Sequence, residues 1–143
     1  YSGREKYPEI KAEDIKELLG LADISLVSEF ADYLAKKDGK GAIAYLEEVL
    51  EKGYDPLEFA KTLLSYLRLA MLLKIDSEFK NPLISSLAKE EQERIKIQLG
   101  LLDINEMQKA LNLFMDAENK MKYSSIPQLP LELAIVDFTA QKP

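Results

Sequence analysis

The sequence predicts an all-α protein, a single compact bundle of about six to seven helices arranged around one central helix. Three observations lead to this fold class. Apolar residues recur at helical spacing through most of the chain. Glycine and proline occur mainly between these periodic stretches, where they start or end helices. Residues 56–75, PLEFAKTLLSYLRLAMLLKI, are apolar on nearly every side, as expected of a helix in the middle of a bundle.

Residues 56–75 also carry the local signals of a long helix. Asp55 is placed to cap the first turn, and Pro56 suits a first helical position. The polar residues form one thin stripe at helical spacing: Glu58, Lys61, Ser65 and Arg68. Because charged residues interrupt the roughly 20 apolar residues that a membrane span needs, the segment is interpreted as a bundle helix.

Three helices are expected before the central one. A short helix spans about residues 10–19, and Gly20 is placed to end it. The second starts between residues 23 and 25 and stops in the turn at residues 36–39. The third covers about residues 40–52. Such short connections favour antiparallel neighbours.

A charged helix is expected after the central one. A loop containing Pro82 precedes it, because proline cannot continue a helix. The helix spans about residues 89–102, and Gly100 weakens it. Ile95 and Leu99 contribute to a single apolar seam, with acidic residues in the first turns.

Two further helices complete the chain. One begins after a capping residue at 103 or 105 and extends to about Met121. The last segment, LELAIVDFTA, could be a strand by propensity. A helix is favoured because Pro130 fits a first turn and the apolar residues share a helical face. The chain also offers no second convincing strand for pairing.

Composition limits the possible functions. The chain has 143 residues, of which 47% are hydrophobic and 31% charged, which suits one soluble domain with a real core. The net charge of −6 argues against nucleic-acid binding by this domain itself. Without cysteine there are no disulfides, and without histidine there is no Cys/His zinc site and no Ser-His-Asp system. We therefore expect no catalytic residue, no metal and no cofactor.

Two short motifs that resemble enzyme signatures are better explained structurally. Gly39-Lys40-Gly41 lacks the remaining residues of a phosphate-binding loop and follows a helix, so it is interpreted as a helix–helix turn. Ser86 and Lys89 match S-x-x-K, but the companion motifs of that enzyme class are absent. The acidic runs are interpreted as solvated helix faces.

Three stretches resemble a known family, in the family's order. They are EIKAEDIKELLGLAD at residues 9–23, GYDP at 53–56 with the leucine-rich run that follows, and IPQLPLELAIV at 126–136. Together they resemble the third domain of the gamma/tau subunit of the bacterial DNA polymerase III clamp loader. The proline-flanked segment L-P-L-E-L-A is the most specific of the three.

This resemblance implies an all-helical collar domain at residues 10–140, preceded by a linker remnant at residues 1–9. In the family, such domains from five subunits form a ring that holds the ATPase modules in place. The implied partners are other gamma/tau copies and the delta and delta-prime subunits, in the cytoplasm, with neither membrane nor direct nucleic-acid contact. The family's nucleotide- and zinc-binding residues lie upstream of this domain.

The residues proposed for assembly, or for packing that supports it, are Leu129, Leu131, Leu133 and Val136, together with Arg68 as a possible ion-pair partner. Burial in the domain's own core remains an alternative for each leucine and for the valine. Two other functions stay open. One is a free-standing helical adaptor that binds a partner helix. The other is a small helical enzyme, which would need a convergent carboxylate or lysine site.

Overall fold

The computed structural model describes residues 12–78 and 87–140, with side chains from Ile24 onward, and all regular structure in these ranges is helical. Six helices follow one another: α1 (Ala12–Ala35), α2 (Gly39–Glu51), α3 (Pro56–Ile75), α4 (Lys89–Leu101), α5 (Ile104–Met121) and α6 (Leu129–Thr139). The predicted all-α fold class is confirmed. None of the helices described is long and apolar enough to span a membrane. The linker predicted at residues 1–9 and Pro82 lie outside the described residues.

The main departure from the sequence prediction is at the N-terminal end. The two helices expected on either side of Gly20 are one continuous helix, so the prediction that Gly20 ends a helix is wrong. Glycine inside a helix costs only about 1 kcal/mol relative to alanine. A helix of 24 residues without proline tolerates that cost, and the predicted helix start between residues 23 and 25 is wrong as well.

The predicted stop at residues 36–39 is correct. Lys37 adopts a left-handed conformation with φ 59°, and the Asp38 N–H donates to the Tyr33 carbonyl at 2.8 Å. This is the hydrogen bond of a Schellman-type helix end. The Lys37 ammonium then reaches Glu106 at 2.8 Å and lies 4.7 Å from the centroid of the Phe138 ring. The end of α1 is thereby attached to both α5 and α6.

Two helices share the centre of the bundle. As predicted, α3 packs against several neighbours, namely α1, α4 and α5. The continuous α1 contacts α2, α3, α4 and α6. The remaining large interface joins α5 to α6, and α2 also touches α6. The predicted polar stripe of α3, from Glu58 to Arg68, is exposed.

Aromatic side chains from four helices meet in the core. Phe30 of α1 is fully buried, and its ring lies edge-on to Phe59 of α3 at 5.2 Å and to Phe114 of α5 at 6.3 Å. Tyr45 of α2 approaches the same ring at 6.2 Å. Edge-to-face pairs add about 0.5–1.5 kcal/mol to the burial of apolar area.

Local signals fix several helix starts. The carboxylate of Asp55 accepts from the Glu58 N–H at 3.0 Å, and Asp103 forms a capping box with Glu106, so both predicted caps are confirmed.

At the start of α2, a Cβ on Gly39 would lie 2.5 Å from Thr139 Oγ1, and one on Gly41 would lie 2.6 Å from the Tyr33 ring. The two glycines therefore serve close helix packing.

Candidate functional site

The last helix is apolar on two faces. Its inner face buries Leu131, Ala134, Ile135 and Phe138 against the core. Pro130 is also buried and lies in the first turn, where its missing N–H removes no helical hydrogen bond. Such a helix gives no clear amphipathic period, which explains why its sequence also suited a strand.

The outer face of α6 carries three of the residues proposed from the sequence. Leu129, Leu133 and Val136 are spaced by four and three residues, so they lie on one side of the helix. Their exposed fractions are 38%, 56% and 50%, respectively. Large apolar side chains that are exposed together on one side of a helix often mark a surface that a partner covers.

The other two proposed residues do not belong to this outer face. Leu131 is buried in the core, so its contribution is to packing within the domain. Arg68 is exposed on α3, a helix with no substantial contact with α6. The structure therefore brings together Leu129, Leu133 and Val136 and leaves Arg68 elsewhere.

The exposed face continues into the turn before α6. Ile126 is about half exposed, and its carbonyl accepts from the Leu129 N–H at 3.0 Å. Ser124 fixes the turn, because its hydroxyl donates to the Ile126 carbonyl at 2.7 Å. We define the α6 face as Ile126, Leu129, Leu133 and Val136. Ile126 was not among the residues proposed from the sequence, although a large apolar residue before a proline was a usable signal.

A groove runs beside this face, between α5 and α6. Its volume is about 310 Å³, and Leu113, Ala117 and Ala134 form part of its apolar lining. Charged residues line it as well. Asp116 pairs with Lys120 at 2.9 Å, and Asp137 is exposed.

A second exposed apolar surface lies on α4. Ile97 and Leu101 are four residues apart and are 62% and 49% exposed. We define these two residues as the α4 face. They line a groove of about 470 Å³ between α4 and the end of α1, together with charged residues: Asp32, Lys36, Lys89, Glu90, Glu93 and Arg94. Neither Ile97 nor Leu101 was among the residues proposed from the sequence.

A buried hydrogen-bond network holds α4 in the orientation that exposes this face. The Gln98 amide donates to the Ser28 carbonyl at 2.9 Å and to Asp32 Oδ1 at 2.7 Å. Its oxygen accepts from the Tyr66 hydroxyl at 2.6 Å. Arg94 binds the other oxygen of Asp32 at 3.1 Å. Because Gln98 is buried, its neighbour Ile97 points away from the core.

The described residues contain no group of three or more His, Cys, Asp or Glu placed to hold a metal ion. Burial, followed by the hydrogen bond and the charge of nearby Glu47, raises the pKa of Glu132. This carboxyl pair joins α2 to α6 and lines neither groove. An interior cavity beside Tyr66 and Gln98 has a volume of about 10 Å³, which leaves no room for a substrate.

Comparisons with known proteins point to one family. Residues 10–142 match the model for domain III of the DNA polymerase III subunits gamma and tau. Among similar proteins are the DNA polymerase III subunit gamma/tau of Mycobacterium bovis and those of two strains of Mycobacterium tuberculosis. Each is 23% identical over 116 residues, which cover 81% of this chain and 20% of the relative. The chain thus spans about a fifth of these relatives. No solved structure gives a significant match.

Proposed function

Because this chain belongs to the family of domain III of the DNA polymerase III subunits gamma and tau, we propose that it is the oligomerisation domain of a clamp-loader subunit in bacterial DNA replication. In this role it joins gamma/tau copies to one another and to delta and delta-prime subunits in the cytoplasm. It performs no catalysis and needs no cofactor. The acidic chain, with its net charge of −6, leaves DNA contact to other parts of the assembly.

The observation that supports this proposal is the α6 face. Four large apolar side chains are exposed on α6 and the turn before it, while the apolar side chains on the opposite side of the same helix are buried in the core. Scattered exposed leucines are normal in a monomer, but a continuous row is typical of a protein–protein interface.

The free energy gained by burying the α6 face can be compared with the cost of association. Full burial of one leucine or valine side chain stabilises by about 1.5–3 kcal/mol, and these side chains are already about half buried. Covering the α6 face therefore contributes on the order of 3–6 kcal/mol. Association costs about 4–15 kcal/mol in lost freedom. The α6 face must consequently meet a well-matched apolar surface to hold an assembly.

A second candidate function is a free-standing adaptor, which the groove between α5 and α6 favours. A groove with an apolar floor and charged rims can accept one side of an amphipathic helix. This function differs from the collar in one measurable way. The adaptor is monomeric without its partner, whereas the collar associates with copies of itself.

Sedimentation velocity over a wide concentration range tests the collar. We expect the 143-residue chain to form species larger than a monomer as its concentration rises, and the Leu133→Glu variant to stay monomeric. The matched control is Met115→Glu, because Met115 is similarly exposed on α5 and does not line the α5–α6 groove. Circular dichroism verifies that both variants fold. A wild-type chain that stays monomeric at every concentration contradicts self-association and favours the adaptor.

A further inference from the structure

We propose that α4 opens from the bundle as a separate unit while the other helices stay packed. In the open state α4 leaves α1 and α3 and loses its helical structure. Opening also removes the α4 face, because Ile97 and Leu101 share one side only while α4 is helical. This inference concerns the conformation of a single chain, and it holds whether or not copies of the chain associate.

The first argument is that little apolar surface anchors α4. Of its 13 residues, Ile95 and Gln98 are buried, and Leu99 is partly buried against the core. Helices α2, α3, α5 and α6 each bury between four and eight residues. Local opening requires the least free energy where few apolar side chains are buried. We therefore expect α4 to open more readily than these four helices.

The second argument is that the remaining attachment of α4 is polar and partly exposed. The Ser25 hydroxyl donates to Glu91 at 2.9 Å, and the Gln98 amide donates to Asp32 at 2.7 Å. Arg94 pairs with the other oxygen of Asp32 at 3.1 Å, and these two side chains keep 32% and 28% of their surface exposed. Water competes for such contacts, and dissolved salt screens their charges. Because Asp32 holds two residues of α4, its carboxylate is a central point of the attachment.

The third argument is that α4 is a weak helix by itself. Ala88, which offers no side-chain acceptor, precedes its first turn, and Gly100 lies in its last turn. Two ion pairs along α4 join residues three apart, and they are partly or largely exposed. Isolated helices shorter than about 12–15 residues are marginal in water. Once detached, α4 therefore unfolds, and its amides become exposed together.

The rest of the bundle has a core that does not depend on α4. The aromatic cluster joins α1, α3 and α5 through Phe30, Phe59 and Phe114, and Tyr45 of α2 approaches the same ring of Phe30. Helix α6 packs on α5, on α2 and on α1. Removing α4 therefore exposes one side of α1 and α3 and leaves the contacts among the other helices in place.

Native-state hydrogen exchange tests the opening in the wild-type chain. It is measured in low concentrations of urea, at a protein concentration where sedimentation velocity shows a monomer. We expect protection factors in α4 to be at least about 10-fold lower than in α3, with one common and weak dependence on urea. Two results would overturn the inference. One is exchange of α4 and α3 at the same protection and with the urea dependence of global unfolding. The other is protection that rises gradually from the ends of α4 inward, which indicates fraying.

A variant in α6 separates opening of α4 from global unfolding. Ile135→Val truncates a fully buried side chain that stays packed when α4 opens. We expect protection in α3 to fall about 2- to 10-fold, because α3 exchanges through global unfolding, and protection in α4 to stay unchanged. An equal fall in both helices would show that α4 opens only when the whole domain unfolds.

A variant in α1 tests the polar attachment. Asp32→Asn keeps the size of the side chain and removes the charge that pairs with Arg94. We expect protection in α4 to fall about 2- to 5-fold. The matched control is Asp116→Asn, which breaks the exposed pair with Lys120 on α5 and should leave protection in α4 unchanged. Protection in α4 that responds to neither variant, or equally to both, would overturn the role assigned to Asp32.

Discussion

Helices α4 and α6 both expose large apolar side chains, yet they are attached to the bundle by different means. The inner face of α6 buries four apolar side chains: Leu131, Ala134, Ile135 and Phe138. Helix α4 buries only Ile95 and Gln98 along its length. Gln98 is held by hydrogen bonds to α1 and α3 rather than by apolar contact.

The difference teaches how an exposed face is kept in place. Apolar burial is strong but weakly directional, so α6 is fixed by the amount of surface it covers. A buried amide tolerates few orientations, because each unmet hydrogen bond costs about 1–3 kcal/mol. The network around Gln98 therefore fixes the rotation of α4 about its own axis, and with it the outward direction of Ile97.

The largest expected effect is a loss of stability on truncating the inner face of α6, which truncating the outer face should not cause. Ile135→Ala removes a fully buried side chain and should lower the free energy of unfolding by about 2–5 kcal/mol. Leu133→Ala, two residues earlier on the outer face, should change it by less than about 0.5 kcal/mol. Urea unfolding followed by circular dichroism measures both. A loss of stability at Leu133 as large as that at Ile135 would show that the outer face belongs to the core.

A smaller loss of stability is expected when the hydrogen bonds that hold α4 to α1 and α3 are removed. Gln98→Leu leaves the Tyr66 hydroxyl without its acceptor and removes the amide donor from Asp32 Oδ1. We expect a loss of about 1–3 kcal/mol, with faster hydrogen exchange concentrated in α4. Gln108→Leu is the matched control, because Gln108 is exposed on α5.

A double-mutant cycle sharpens this prediction. Tyr66→Phe removes the hydroxyl that Gln98→Leu would leave unpaired, so the double variant should lose less stability than the sum of the single losses. The coupling expected for residues in one buried network is about 0.5–3 kcal/mol. Strictly additive losses would mean that the hydrogen bond between Tyr66 and Gln98 does not attach α4.

Most of the fold could be predicted because its signals are local. Asp55 with Pro56, and Asp103, mark helix starts through side chains that bind the backbone within one turn. The continuity of α1 through Gly20 could not be predicted in this way. A glycine both weakens and caps helices, and the choice depends on the packing of the whole chain.

The candidate surface was only partly predictable, for a related reason. Leu131 and Leu133 look equivalent in a segment that is apolar on both faces, and only the tertiary contacts make one buried and the other exposed. On α4 the usual rule is reversed, since Gln98 faces the core while Ile97 faces outward. That arrangement depends on partners from α1 and α3, which the spacing of residues along α4 does not reveal.

The smallest expected effect concerns the polar contacts of α5 and α6, and it has opposite signs at two glutamates. Burial, with the nearby Glu47 carboxyl, raises the pKa of Glu132 on α6. The hydrogen bond to Lys37, together with the Asp103 N–H, lowers the pKa of Glu106 on α5. Stability linked to Glu132 is therefore present below the unfolded pKa of about 4.3 and is lost as the pH rises through the raised value. Stability linked to Glu106 is present above that unfolded pKa and is lost as the pH falls.

Glutamine variants of these two residues test the signs, because glutamine resembles a protonated glutamate at every pH. At pH near 7, Glu132→Gln should raise the melting temperature and Glu106→Gln should lower it. Both differences from the wild type should shrink as the pH falls below about 4, where both glutamates become protonated in the unfolded chain. Thermal unfolding at several pH values makes the measurement. A lower melting temperature for Glu132→Gln at neutral pH would show that the charged carboxylate stabilises the contact between α2 and α6, and that α6, like α4, depends on a polar attachment.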